Sequence, residues 1–193
     1  RKQIWSSPLK ELNSQFVSPQ TVALTTKPYP NVPGYMYAIQ TSTGTVKKIL
    51  GNVFGLSALM STDEKRVIYL AQSSGAELYA YSIPERASSR LNPVTFPEKC
   101  VWSKKEPNIV YCAVPQQLLN ADSLTNWYLG GVSYMDDIWK YDLSNNTSSV
   151  VVNLSDESGE KIDVTKPTLS SDEKYLIFIN KIDGAPWSLD LTQ

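Results

Sequence analysis

At 193 residues the chain is long enough to bury a substantial core, and 18 Lys and Arg against 19 Asp and Glu are too evenly balanced to attract nucleic acid or an anionic membrane. Histidine is absent, which excludes Ser-His-Asp and Cys-His nucleophile systems and every His-containing zinc site. The 11 Tyr, 5 Trp and 4 Phe, set among many Val, Ile, Thr and Ser, suit half-buried pleated surfaces and predict an all-β fold.

No apolar run approaches the roughly 20 residues that cross a bilayer, so no direct membrane insertion is expected of this segment. Arg at position 1 leads us to expect an upstream portion. In chain order, RKQIWSSPLKELNSQFVS reads as an outermost strand and connector entering an inner strand near residues 14–18. VSPQTVALTT then forms a turn and a second strand, YMYAIQT a third and TVKKIL a fourth. LMSTDEKRVIYLAQSSGAELYAYSI repeats this rhythm and SRLNPV completes it. VWSKKEPNIVYCAV, DIWKYDL and SVVVNL repeat it again, and LSSDEKYLIFINKIDGAPWSLDL ends the chain without a fourth strand.

The alignment is residue by residue. Ser61 matches Ser170, Asp63 matches Asp172, Lys65 matches Lys174 and Tyr69 matches Phe178, while Ser103 and Tyr111 keep the same separation. Tyr37, Tyr79, Trp139 and Trp187 fall in register on alternating strands, where period two places large side chains on one face. The marker serines Ser18, Ser61, Ser103 and Ser170 are spaced by 43, 42 and 67 residues. Units of about 40–45 residues with four strands each are the signature of propeller blades.

The expected architecture is therefore four blades of four antiparallel strands, near residues 14–50, 55–94, 98–154 and 163–193, with residues 1–7 as the closing outer strand of the last blade. Two arrangements stay open. The blades form a closed small propeller, or they are part of a larger ring completed by more chain or by a homodimer.

LSSDEKYLIF and MSTDEKRVIY resemble the Ser-Pro-Asp-Gly-Lys-x-apolar-apolar-aromatic motif of WD40-like propeller repeats of the TolB type. Ser171 and Thr62 stand in place of the Pro, and Glu173 and Glu64 in place of the turn Gly. The motif is structural, so Asp63 and Asp172 are expected to accept backbone hydrogen bonds inside the turn. The segment from Tyr111 to Leu143 also resembles uncharacterised bacterial propellers, which implies an extracytoplasmic protein: periplasmic, cell-surface or secreted.

The long third spacing places an insertion from Ala113 to Asp136 between the second and third strands of blade 3. It carries Trp127, Tyr128 and Tyr134, with Asp136 and Asp137 at its end. The matching link of blade 1, TTKPYPNVPG, holds Tyr29, and both links emerge on one rim. These six are the candidate binding residues, since Tyr and Trp supply large contact area with a polar handle. The alternative for Trp127 and Tyr128 is to fold the loop back onto its blade.

Asp136 and Asp137 alone do not supply the six to eight oxygens of a calcium site, so neither metal nor cofactor is expected. Cys100 and Cys112 flank a hairpin whose tip lies near Glu106, so they form a disulfide outside the cytosol or two small buried residues within it. The expected function is a non-enzymatic binding scaffold presenting this rim to a protein, peptide or glycan. The rival, on resemblance to prolyl oligopeptidase-type enzymes, is the substrate-gating propeller of a larger hydrolase whose catalytic domain lies outside this chain.

Overall fold

The computed structural model describes residues 3–192. Fifteen strands form four antiparallel meanders, each paired in chain order. Blade 1 holds β1 (Leu12–Ser18), β2 (Thr21–Thr26), β3 (Pro33–Gln40) and β4 (Val46–Phe54). Blade 2 holds β5 (Ser57–Met60), β6 (Arg66–Gln72), β7 (Ala76–Ser82) and β8 (Ala87–Leu91). Blade 3 holds β9 (Cys100–Trp102), β10 (Ile109–Pro115), β11 (Asp136–Asp142) and β12 (Thr147–Asn153). Blade 4 holds β13 (Val164–Leu169), β14 (Tyr175–Asn180) and β15 (Pro186–Asp190). The fold is an all-β propeller arrangement with two short helices, α1 (Ser123–Tyr128) and α2 (Leu154–Ser158).

Blades pack face to face because alternate residues of each sheet are apolar on both sides. Val17, Ala23, Met36 and Leu50 of blade 1 meet Leu56, Met60, Val67 and Tyr69 of the next unit. Ile68, Leu78 and Leu91 of blade 2 meet Trp102, Val110 and Tyr141 of blade 3. Ala113 and Ile138 then meet Val164, Leu176 and Phe178 of blade 4. Each such fully buried side chain contributes roughly 1.5–3 kcal/mol. The run Val67-Ile68-Tyr69-Leu70 is buried throughout because a middle strand between two neighbours has no solvent face.

The aromatic register follows the pattern in the sequence. Tyr37 pairs with Leu24, Tyr79 with Tyr69, and Trp187 with Phe178. Blade 3 corrects the alignment: Trp139 pairs with Cys112, and Tyr111 points to the opposite face. The cause is the preceding turn. Ser61 N donates to Arg66 O and Ser170 N to Tyr175 O, whereas Ser103 N reaches Ile109 O, one residue further. A single added residue flips every side chain beyond it.

The serine-marked turns also show why Glu replaces Gly. Asp63 Oδ1 accepts from Ser61 Oγ and Lys65 N, and Asp172 Oδ1 from Ser170 Oγ and Lys174 N. Glu64 and Glu173 hold left-handed φ values of 60° and 56°. That conformation costs a residue with a Cβ roughly 1–2 kcal/mol. It is offset across the blade interface: Ser18 Oγ donates to Glu64, while Ser103 Oγ, Lys104 N and Lys105 N donate to Glu173.

Cys100 and Cys112 lie directly opposite on β9 and β10, with Cα atoms 4.0 Å apart, and are joined as a disulfide. The expected outer strand of blade 4 is not supplied by residues 3–7. They form no strand, and the carbonyl of Ile4 lies against Gly44 in the β3–β4 turn of blade 1. Pro8 removes a ladder donor there, and Ser7 Oγ captures Leu9 N at 3.0 Å, which turns the chain away. Residues 1 and 2 of that expected strand lie outside the described residues. Among the described residues no hydrophobic cluster joins blade 4 to blade 1. Phe16 on β1 is 84% exposed, and Tyr175 and Ile177 on β14 are exposed as well.

Candidate functional site at the rim mouth

The inner strands converge on a mouth capped by the blade 3 insertion. A 3-10 turn, Pro97–Lys99, leads into β9 and orients two successive charges in opposite directions. Lys99 enters the core. Its Nζ donates to Asp136 Oδ2 and Asp163 Oδ1, each at 2.5 Å, and all three side chains are 0% exposed. Asp163 also accepts from Trp127 Nε1 at 2.9 and 3.0 Å and from Tyr134 N at 3.2 Å. Val164 N donates to Asp136 Oδ2 at 2.7 Å.

Burial drives the Asp136 carboxyl up to about 6, against the opposing pull of Lys99 and the Val164 amide. The Lys99 ammonium also lies 5.0 Å from the Trp127 ring centroid, and Phe96 packs at 5.7 Å from both Trp127 and Tyr134. Leu70 and Leu124 complete this satellite core. A buried charge persists only where it is paired and hydrogen-bonded, and this cluster meets that condition for Lys99 and Asp163. Its mechanical effect is to clamp α1 by Trp127, so that the next residue, Tyr128, stands over the mouth.

Glu98 faces the mouth. Its Oε1 accepts from Ser57 Oγ at 2.6 Å and from the Tyr128 hydroxyl, whereas Oε2 is buried without a partner. Burial raises the Glu98 carboxyl above its ordinary range, with the Ser57 and Tyr128 hydrogen bonds opposing that shift. Tyr128 is pushed up in turn, chiefly by burial and then by the adjacent Glu98 charge.

Two cavities share this wall. The inner one, of about 570 Å³, is lined by Asn13, Ser14 and Gln15 of β1, by Ser57 of β5, and by Glu98 and Tyr128. The outer one, of about 560 Å³, is lined by Glu11, Asn13, Lys27, Tyr29, Tyr128 and Leu129. Asn13 and Tyr128 belong to both, so the two cavities are neighbours across a shared wall. Gln15 stiffens its floor, donating to Met60 O at 2.7 Å and accepting from Met60 N at 2.9 Å.

The structure divides the six candidate binding residues. Tyr29 and Tyr128 meet on the outer cavity, from blade 1 and from the insertion. Trp127, Tyr134 and Asp136 are withdrawn into the satellite core and present no ligand surface. The reason is that Asp163 and Lys99 gather their polar atoms inward. Asp137 is half-buried and accepts from Gln116 Nε2 at 2.9 Å, away from both cavities. Sequence reasoning missed Glu98, Lys99 and Asp163. A usable signal was present for the last two: a charged residue at the very entry of an inner strand, in PEKCVW and KIDVT.

The chain is thus a β-propeller whose blade 3 insertion builds a mouth on one rim. No family model and no curated protein matches the sequence. Solved structures share the fold. TolB from Acinetobacter baumannii superposes with a TM-score of 0.65 at 19% identity, covering 98% of this chain and 43% of that one. An auxiliary nutrient binding protein from Bacteroides thetaiotaomicron gives 0.54 at 9% identity, over 93% and 37% of the two chains. Oligogalacturonate lyase in complex with manganese gives 0.52 at 14% identity, over 88% and 44%. The chain therefore spans less than half the length of these structures. Among the described residues no three His, Cys, Asp or Glu side chains converge as a cation site, and no helix is long and apolar enough to cross a membrane.

Proposed function

We propose that this chain is the ligand-binding part of an extracytoplasmic propeller that holds a protein, peptide or glycan segment at the rim mouth without chemical turnover. One observation carries the reading: two adjoining cavities, about 570 and 560 Å³, with Asn13 and Tyr128 in common, walled by a helix that a buried ion cluster clamps in place. Volumes of this size suit specific ligand segments, and Tyr29, Tyr128 and Leu129 offer amphipathic contact area. The disulfide supports an oxidising compartment. The bare faces of blades 1 and 4 support further blades, supplied in this reading by a second copy.

The test is an NMR titration of the full chain with arrayed peptides and oligosaccharides, repeated on Tyr29→Ala with Leu129→Asp. Shifts clustered at residues 11–15, 27–29 and 125–129, and lost in the variant at unchanged melting temperature, support the reading. Shifts elsewhere, or retained in the variant, refute it. The alternative, a mouth that gates access to a catalytic domain, draws on the enzyme among the structural neighbours and on the short span of that enzyme which this chain covers. An α/β segment with Gly-x-Ser-x-Gly adjoining this chain in a longer protein favours it.

A further inference from the structure

We propose that the inner cavity seats a cationic nitrogen, the ammonium or guanidinium of a basic side chain in a bound peptide, on the Glu98 carboxylate. This deepens the binding reading above and rests on it. Glu98 is the single charged side chain lining the inner cavity among the described residues. No Lys or Arg lines that cavity, and Lys99, the adjacent cation, is committed to Asp136 and Asp163 in the core.

The hydrogen bonding is lopsided in the same sense. Ser57 and Tyr128 both donate to Oε1, and Oε2 is a buried carboxylate oxygen with no donor. A buried acceptor left unpaired is costly, and a charge-assisted donor is the partner that relieves it most. Two polar groups nearby are already committed. The Gln15 amide is held by Met60 in both directions, and the Ser57 hydroxyl already donates to Oε1.

The path inward suits a long side chain with a charged tip. Tyr29 stands exposed on the outer cavity and Tyr128 at the neck, so a cation passes two aromatic rings that attract it before it reaches the carboxylate. Oε2 is covered in the free mouth, and seating the nitrogen requires the carboxylate to turn or Tyr128 to yield. Tyr128 is placed for that: it is the last residue of a six-residue helix and is 37% exposed. An extended peptide carries neutral contacts in the outer cavity while one Lys or Arg reaches Glu98.

The probes are acetyl-Gly-Lys-Gly-amide, its Arg counterpart, the isosteric norleucine peptide and free n-butylammonium. Binding to the full chain is followed by amide shifts and by the Glu98 ¹³Cδ resonance. The Lys or Arg peptide is expected to bind about tenfold or more tighter than the norleucine peptide. It should move the Glu98 ¹³Cδ signal, and Glu98→Gln should erase the preference. Stronger binding of the peptide than of butylammonium identifies a peptide rather than a free amine as the source of the nitrogen; equal binding overturns that assignment. Equal affinity of the Lys and norleucine peptides at the mouth overturns the charge inference alone and leaves the binding reading standing. Shifts confined to other surfaces overturn both. Tyr128→Phe, which removes one donor to Oε1 and keeps the ring, should preserve the preference, and its loss there would also refute the seat on Glu98.

Discussion

Replacing Asp163 by Ala tests the claim that a buried ion cluster holds the insertion over the mouth. The carboxylate accepts from Lys99 Nζ, from Trp127 Nε1 and from Tyr134 N, so the substitution takes the acceptor from three donors and leaves Lys99 with one partner. Removing one member of a buried pair costs about 3–5 kcal/mol. For a chain of this length each kcal/mol corresponds to roughly 2–4 °C, so a fall of about 6–20 °C in melting temperature is expected. The assay is a circular-dichroism melt at neutral pH, paired with near-ultraviolet dichroism that reports the packing of Trp127. Lys99→Met combined with Asp163→Ala should be less damaging than the two single changes added together, since the double variant retains no unpaired ammonium. A melting temperature within 2 °C of the parent, or strict additivity in the double variant, refutes the clamp.

Three further outcomes follow from the same geometry. The Asp136 carboxyl titrates near 6 in the folded chain against 3.8 for the unperturbed group, so the folded state binds its proton more tightly. Its contribution to stability is full below about pH 4 and is lost as pH rises through about 6, a change of about 3 kcal/mol. Urea denaturation from pH 4 to 7 should therefore show a declining stability in the parent relative to Asp136→Asn, and parallel curves refute the assignment. Glu173→Ala removes the interblade hydrogen bonds from Ser103, Lys104 and Lys105 while keeping the left-handed turn, and should cost about 1–3 kcal/mol by thermal melt. Glu173→Gly relieves the turn and should cost less, and the reverse ranking refutes the clasp. By sedimentation the 21.5 kDa chain should be found at twice that mass, and Phe16→Glu with Ile177→Glu should return it to a monomer. A monomer at every concentration refutes coverage of the bare faces by a second copy.

What could be read from the residues was the local part. Marker serines, turn carboxylates and alternating aromatics act within one hairpin, so Tyr79 opposite Tyr69 and Trp187 opposite Phe178 follow from period and turn chemistry. Where a turn lengthened without changing its residue types, as before Ile109, the register slipped by one and Tyr111 was misplaced. The N-terminal segment read as an outermost strand and connector, but residues 3–7 form no strand, and Pro8 with the Ser7–Leu9 hydrogen bond follows them. The site was the least legible part. Glu98 finds Ser57 41 residues away, and Lys99 finds Asp163 64 residues away, distances at which no local pattern records who meets whom. Tyr29 and Tyr128 were recoverable because rim loops of a propeller are grouped by topology, whereas the inward turn of Trp127 depended on that unseen carboxylate.

Long rim links occur on blades 1 and 3, and the intervening link of blade 2 is only Ser73, Ser74 and Gly75. A Cβ placed on Gly75 would meet nothing within 4 Å. The rim thus dips at blade 2, between the longer links that carry Tyr29 and Tyr128. The blade 2 link is the shortest of those joining second to third strands, so residues grafted there would raise the wall beside the mouth without altering either tyrosine.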